Sequence, residues 1–295
     1  MSADARARAA VDHLLDVLDL DESQARTTED IFTGRSHAMP TGRIYGGQVL
    51  GQSLLAAERT MPADRAAHSM HGYFLRPGDS AQGVTIAVDR IHDGRSFSTR
   101  RAQAYQNGVP IFSMIASFQD DAPGLEHAAP MPTDIPAPED LVSDDELVRG
   151  EAQWLKSRPA DIRHVQSPIY LAADGELSPH QAIWMRLRSP MPDDARMHRA
   201  ALAYLSDMTI QESILRAHGI AWSTPGLKVA SLDHAMWWHR PARVDEWMLY
   251  VQKSANARGG RGLATGRIYT REGVLAASVS QEIMIRVPDA PGAAD

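Results

Sequence analysis

The sequence predicts an α+β fold built from one module used twice, each a strand, a helix and four antiparallel strands. Three observations carry that expectation. Apolar residues recur at helical spacing in 46–61 and again in 201–219. Each of these segments is followed by alternating, strand-like stretches separated by turn residues. The last hairpin of each half has a matching turn, Asn107-Gly108 in the first and Glu272-Gly273 in the second.

Composition sets the outer limits. With 295 residues and 43% hydrophobic content the chain can build a full core, as one large domain or two ordinary ones. A net charge of −7 and a pI near 5.9 offer no basic field to nucleic acid or to an anionic membrane. There is no cysteine, which removes disulfides, thiolate metal sites and a cysteine nucleophile. The first residues, MSADARARAA, are basic without an apolar stretch behind them, unlike a secretory signal. No run of about 18 apolar residues suggests a membrane span. The expected setting is the cytoplasm.

The elements follow in order. In 8–20 the residues Val11, Leu14, Leu15 and Leu18 share a helical face, which makes a short docking helix. Residues 30–33 read as a first strand. The helix over 46–61 carries Leu50, Leu54, Ala57 and Met61 on one face, flanked by Gly47, Gly51 and Ala56. Small residues there suit a second surface approaching the backbone; with no Rossmann-type strand before it, GGxxxG is packing and not a phosphate loop. Strands are expected over 68–76, 83–91, 97–105 and 109–118. Residues 119–150 are rich in Pro and acid and read as a solvated linker, which leaves 151–174 without a clear assignment. Strands follow over 181–188, 227–240, 246–252, 262–269 and 274–286, with the second helix between the first two. The expected domains are therefore 1–118, a linker 119–174, and 175–295.

A register test supports the duplication. Leu50, Ser53, Leu54 and Leu55 match Ile210, Ser213, Ile214 and Leu215 at an offset of 160. Arg76-Pro77 matches Arg240-Pro241 at 164, and Gly108-Val109 matches Gly273-Val274 at 165. In that register three polar residues of the second half face small residues of the first. Asp207 falls on Gly47, Ser231 near Ala67, and Gln281 on Ala116. Asp207, read as the front of the second helix, would be a helix cap stabilising by about 1 kcal/mol. Ser231 and Gln281 could equally satisfy one another as a buried hydrogen-bonded pair. Joint loss of all three from one copy fits a single site that works only in the other.

The strings GGQVLGQSLLAAERT (46–60), HSMHGYFLRPGDS (68–80), DGRSFSTRRAQAYQNGVPIF (93–112), LAYLSDMT (202–209) and LDHAMWWHRP (232–241) resemble the acyl-CoA thioesterase II family. The resemblance covers about 32–287 and implies a double hotdog, in which a sheet wraps a central helix twice per chain. It implies hydrolysis of acyl-CoA by an Asp, a Ser or Thr, and a Gln, here Asp207, Ser231 and Gln281. It also suggests His68 in the substrate channel, where a core histidine is an equal alternative. No cofactor is implied beyond the CoA of the substrate, and association into a homo-oligomer, dimer or tetramer, is expected.

Other chemistries find less support. No G-x-S-x-G elbow and no H-E-x-x-H occur. His68 and His71, like His234 and His239, are spaced to point to opposite faces of a strand. A water activated by Asp207, held by Ser231 and Gln281, is the expected nucleophile. The oxyanion would be met by backbone N–H groups near a helix start. An enoyl-CoA hydratase of the same fold would need a His a few residues after the Asp, whereas His218 lies a helix away. A non-catalytic acyl-CoA sensor would need an effector domain. Lys253, Arg258 and Arg261 could meet CoA phosphates, or simply form a solvated strand edge.

Overall fold

The computed structural model describes residues 3–22, 29–147, 158–173 and 177–288. The first half contains α1 (Ala3–Leu18), β1 (Asp21–Glu22), β2 (Asp30–Gly34), α2 (Gly46–Arg59), β3 (Arg65–Phe74), β4 (Val84–Asp93), β5 (Phe97–Gln106) and β6 (Val109–Asp120). A connecting segment holds α3 (Asp144–Leu147) and β7 (Ala160–His164). Then come β8 (His180–Leu187), α4 (Ala195–Ser206), α5 (Glu212–Ala217), β9 (Lys228–Ser231), β10 (Asp233–Trp238), β11 (Met248–Arg258), β12 (Arg261–Thr270) and β13 (Leu275–Arg286).

The strands join one antiparallel sheet in the order β1-β2-β4-β5-β6-β3-β10-β13-β12-β11-β8-β7, with β9 on β13. The two halves of that order mirror each other: β2-β4-β5-β6-β3 meets β10-β13-β12-β11-β8. They join where β3 pairs with β10, Met70 opposite Met236. The duplicated module is therefore visible in the strand order itself. The matching turns behave alike too. Asn107 (φ 50°) and Gly108 (φ 75°) close one hairpin and Gly273 (φ 88°) helps close the other, left-handed conformations that Asn and Gly adopt at little cost.

Inside the curved sheet α2 and α4 lie against each other. Every residue of α2 from Gly47 to Glu58 is buried, so no side of it faces water. The glycines explain how close the helices come. A Cβ on Gly51 would stand 2.9 Å from the Ala200 carbonyl oxygen, and one on Gly47 only 2.3 Å from that of Tyr204. Glu58, whose carboxyl burial raises to about 7, accepts a hydrogen bond from Arg199 at 2.5 Å and pins the crossing. The docking helix α1 buries Val11, Leu14 and Leu18 in the same core.

Three expectations need correction. There is no single helix over 201–219. α4 begins earlier, capped by the Asp194 side chain, which accepts from the Arg196 N–H at 2.8 Å, and it ends at Ser206. Asp207 is its C-cap, not the front of a helix, and a turn over 207–211 separates it from α5. The apolar spacing runs through both helices, which hides the break.

The strand expected over 227–240 is interrupted at Leu232, between β9 and β10. Strict alternation would put Ser231 and His234 on opposite faces. The interruption turns both toward the helices.

Of the expected solvated linker only 121–130 is exposed almost throughout; of 119–174, residues 148–157 and 174 lie outside the described residues, and the rest of the segment, 131–147, is docked. It straps across the outside of the second half of the sheet. Met131, Ile135 and Leu141 pack on Trp184, Trp247, Leu249 and Tyr269. Trp184 Nε1 donates to the Pro136 carbonyl at 2.8 Å, and Arg271 pairs with Glu139 at 2.7 Å. The strap ends in a buried ionic cluster. His164 hydrogen-bonds Asp144 at 2.9 Å through Nδ1 and Glu212 at 2.8 Å through Nε2. Burial alone would lower the imidazole pKa, but the two carboxylates outweigh it and hold it near 9. Pro and acid content describes the strap's average, while a few apolar residues decide its docking.

Candidate active site

The break after α4 places Asp207 where three elements meet. Its Oδ1 accepts from Gln281 Nε2 on β13 at 2.7 Å and from Ser231 Oγ at the end of β9 at 3.1 Å. The Gly47 backbone N–H at the start of α2 donates to the same carboxylate. An α2 N-terminal N–H has no partner within its own helix, so a carboxylate there satisfies it and complements the helix dipole. The cap reading of Asp207 is thus right in kind and wrong in place, since the helix it caps belongs to the other module. Asp207 Oδ2 lies over Gly46, where a Cβ would stand 2.7 Å from it.

The carboxylate is 4% exposed and Gln281 0%, whereas Ser231 is half-buried and marks the side open to solvent. Burial pushes Asp207 up to about 6, against the hydrogen bonds from Gln281, Ser231 and Gly47 that favour the charged form. A carboxylate tuned close to neutrality is ionised at physiological pH and still basic enough to take a proton.

Two tyrosines, the half-buried Tyr45 and the buried Tyr250, fix the end of α4. Tyr45 donates through its hydroxyl to the Tyr204 carbonyl at 2.8 Å, and Tyr250 to the Ser206 carbonyl at 3.1 Å. Those carbonyls lie in the last helical turn and have no intrahelical donors, so the phenols replace what the helix break removes. Burial and then the Asp207 charge push Tyr45 and Tyr250 well above the usual tyrosine range, so both stay neutral donors. Beyond the break, Gln252 donates to Thr209 at 2.6 Å and holds the turn.

Asp207, Ser231 and Gln281, selected by sequence, therefore converge on one carboxylate. His68 does not join them. It sits where a bulge interrupts the pairing of β3 with β6, hydrogen-bonded to Ser117 at 2.9 Å with its ring edge against Phe97. Arg258 and Arg261 flank the turn between β11 and β12 beside a shallow hollow, and Arg261 pairs with Glu282 at 3.1 Å. Sequence reasoning missed Gly47, Tyr45, Tyr250 and His234. Only Gly47 left a signal, two glycines opening a helix that calls for no turn.

A helix wrapped by an antiparallel sheet, twice over in one chain, defines the hotdog class. The chain superposes on a hot dog fold protein from Alicyclobacillus acidocaldarius with a TM-score of 0.77 at 18% identity, covering 94% of this chain and 98% of that one. It also matches the acyl-CoA thioesterase II TesB2 of Mycobacterium marinum at 40% identity and a TM-score of 0.77, over 94% of this chain and 100% of the other. Human acyl-coenzyme A thioesterase 8 is 38% identical over 279 residues, 88% of this chain and 85% of its own length. Residues 156–284 match the family described as acyl-CoA thioesterase, and 35–119 its N-terminal domain. The chain belongs to the acyl-CoA thioesterase II family.

Proposed function

We propose that this enzyme hydrolyses acyl-CoA thioesters to free fatty acid and CoA, with Asp207 as general base. The observation that carries the proposal is the buried Asp207 carboxylate with Gln281 and Ser231 both donating to Oδ1. The acyl carbonyl enters from the Ser231 side. A water held by the carboxylate and the Ser231 hydroxyl gives its proton to Asp207 as its oxygen bonds to the carbonyl carbon. The oxyanion is met by N–H groups at the start of α2 and by the Gln281 amide. As the carbonyl re-forms, the C–S bond breaks and the CoA thiolate leaves, taking up the proton from Asp207. Thiolate is a good leaving group, so one base suffices and no cofactor is required beyond the CoA of the substrate.

We expect a cytoplasmic homo-oligomer, dimer or tetramer, with His68 toward the substrate; fractionation, light scattering and a His68→Ala KM test these points. Among the described residues no helix is long and apolar enough to cross a membrane.

The direct test is thiol release from palmitoyl-CoA and hexanoyl-CoA, run beside hydration of an enoyl-CoA. Asp207→Asn is expected to lower kcat by roughly 10²-fold or more, the scale of lost general-base catalysis. A folded Asp207→Asn variant at the parent rate would sink the assignment. In the parent, kcat/KM should fall tenfold per pH unit below about 6, as the carboxylate takes up its proton. A rate flat through pH 5 would exclude Asp207 as the base.

A further inference from the structure

Beside the site lies a buried histidine that the proposed chemistry leaves unused. His234 on β10 is 0% exposed, and its Nε2 stands 3.0 Å from Ser206 Oγ. Its other nitrogen, Nδ1, is buried with no hydrogen bond of good geometry, and so is Gln281 Oε1, yet the two side chains are close enough for Gln281 to favour the charged form of His234. Gln281 cannot turn its oxygen toward Asp207, because two acceptors would then oppose each other where Nε2 now donates at 2.7 Å. The planar amide therefore directs Oε1 away from the carboxylate, into the buried interior, where an unpaired carbonyl is costly.

We propose that His234 is the positioning residue for Gln281, its Nδ1–H donating to Gln281 Oε1 so that the amide nitrogen faces Asp207. The inference rests on the hydrolytic reading of Asp207, Ser231 and Gln281. It follows from counting protons. Ser206 Oγ is 2.9 Å from the Ala203 carbonyl and 3.0 Å from His234 Nε2, and it has one hydrogen to give. If that hydrogen goes to Ala203, Nε2 must carry the imidazole proton, and Nδ1 and Oε1 become two buried acceptors with no donor. If it goes to Nε2, the imidazole proton sits on Nδ1 and serves Oε1. Only the second arrangement provides for both atoms, at the cost of one hydroxyl bond to a helix-end carbonyl. Burial drives His234 down to about 4, with Gln281 pulling it back up, so the ring is neutral and holds the single proton this count assumes. The relay then runs Ser206 to His234, His234 to Gln281, and Gln281 to Asp207.

Two substitutions separate positioning from packing. The Asn side-chain nitrogen is attached at Cγ, as Nδ1 is, so His234→Asn retains the donor toward Gln281 and loses the Ser206 contact. The Gln nitrogen lies one bond further out, so His234→Gln retains the Ser206 contact and loses the donor. Steady-state hydrolysis of palmitoyl-CoA should show His234→Gln with kcat down about tenfold and KM unchanged, and His234→Asn within about threefold of the parent. Histidine-selective ¹⁵N NMR of the parent, which needs no variant to fold, should find the His234 proton on Nδ1. A proton on Nε2, His234→Gln at the parent rate, or His234→Asn impaired as much as His234→Gln would each overturn the proposal. Gln281→Ala and Asp207→Asn are measured alongside. Should both retain the parent rate, the hydrolytic reading itself fails, and the NMR tautomer still decides the His234 contact.

Discussion

The two modules share a strand order and differ in what they bring to the site. In the second, Asp207, Ser231 and Gln281 converge; in the first, the matched positions are Gly47, Ala67 and Ala116, all buried. Yet the first module is not idle. Its α2 N-terminus supplies the Gly47 N–H to Asp207, and its glycines leave the room in which the carboxylate lies. One copy kept the side chains and the other kept a bare helix end, and the site exists only where they meet. Duplication here produced a division of labour and not two sites.

The second module also carries the strap, and removing the strap's anchor should have the largest effect on stability. Asp144→Ala takes one carboxylate from the buried cluster, leaving Arg158 with Tyr170 and Asp145 and His164 with Glu212, a change expected to cost about 3 kcal/mol in denaturant unfolding. The anchor also has a pH signature. His164 is held near 9 against an ordinary 6.5, so the folded state binds that proton more tightly than the unfolded chain. Its contribution is complete below about 6.5 and is lost as pH rises through 9. Melting temperatures over that window should fall in the parent and stay flatter in His164→Gln.

Exchanging chemistry between the modules comes next. Ala116→Gln places a polar amide in a fully buried position with no carboxylate opposite, at an expected cost of 1–3 kcal/mol or about that, and no gain in thiol release. A gain would show that the first module retains a latent site.

Gly46→Ala tests the division of labour directly. Its Cβ would stand 2.7 Å from Asp207 Oδ2 and 3.1 Å from the Phe74 ring, and should lower kcat roughly tenfold by shifting the base. An unchanged rate would mean that the first module's helix end does not shape the site. The smallest effect is expected from Ser231→Thr, which retains the hydroxyl donor to Asp207; kcat should stay within about threefold.

Much of this molecule was legible in its residues. The strands of both modules, the packing glycines of α2 and the convergence of Asp207, Ser231 and Gln281 all follow from periodicity and from comparing one half with the other. The errors share a cause. The break after Ser206 is invisible because Ala203, Ile210 and Ile214 carry one apolar face across it, and the hydrogen bonds that replace the helix come from Tyr45, Tyr250 and Gln252, distant in sequence. The strap reads as linker because its average composition is polar, while its docking depends on a few apolar residues and one buried histidine.

The sequence by itself determined the repeated module and the residue types at the site, because hydrophobic period and turn chemistry act over a few neighbouring residues. Tertiary structure decided which helix end meets Asp207, which way Ser231 turns and what the strap covers. Those outcomes depend on partners far apart along the chain, brought within hydrogen-bonding distance only when the two halves of the sheet join at β3 and β10.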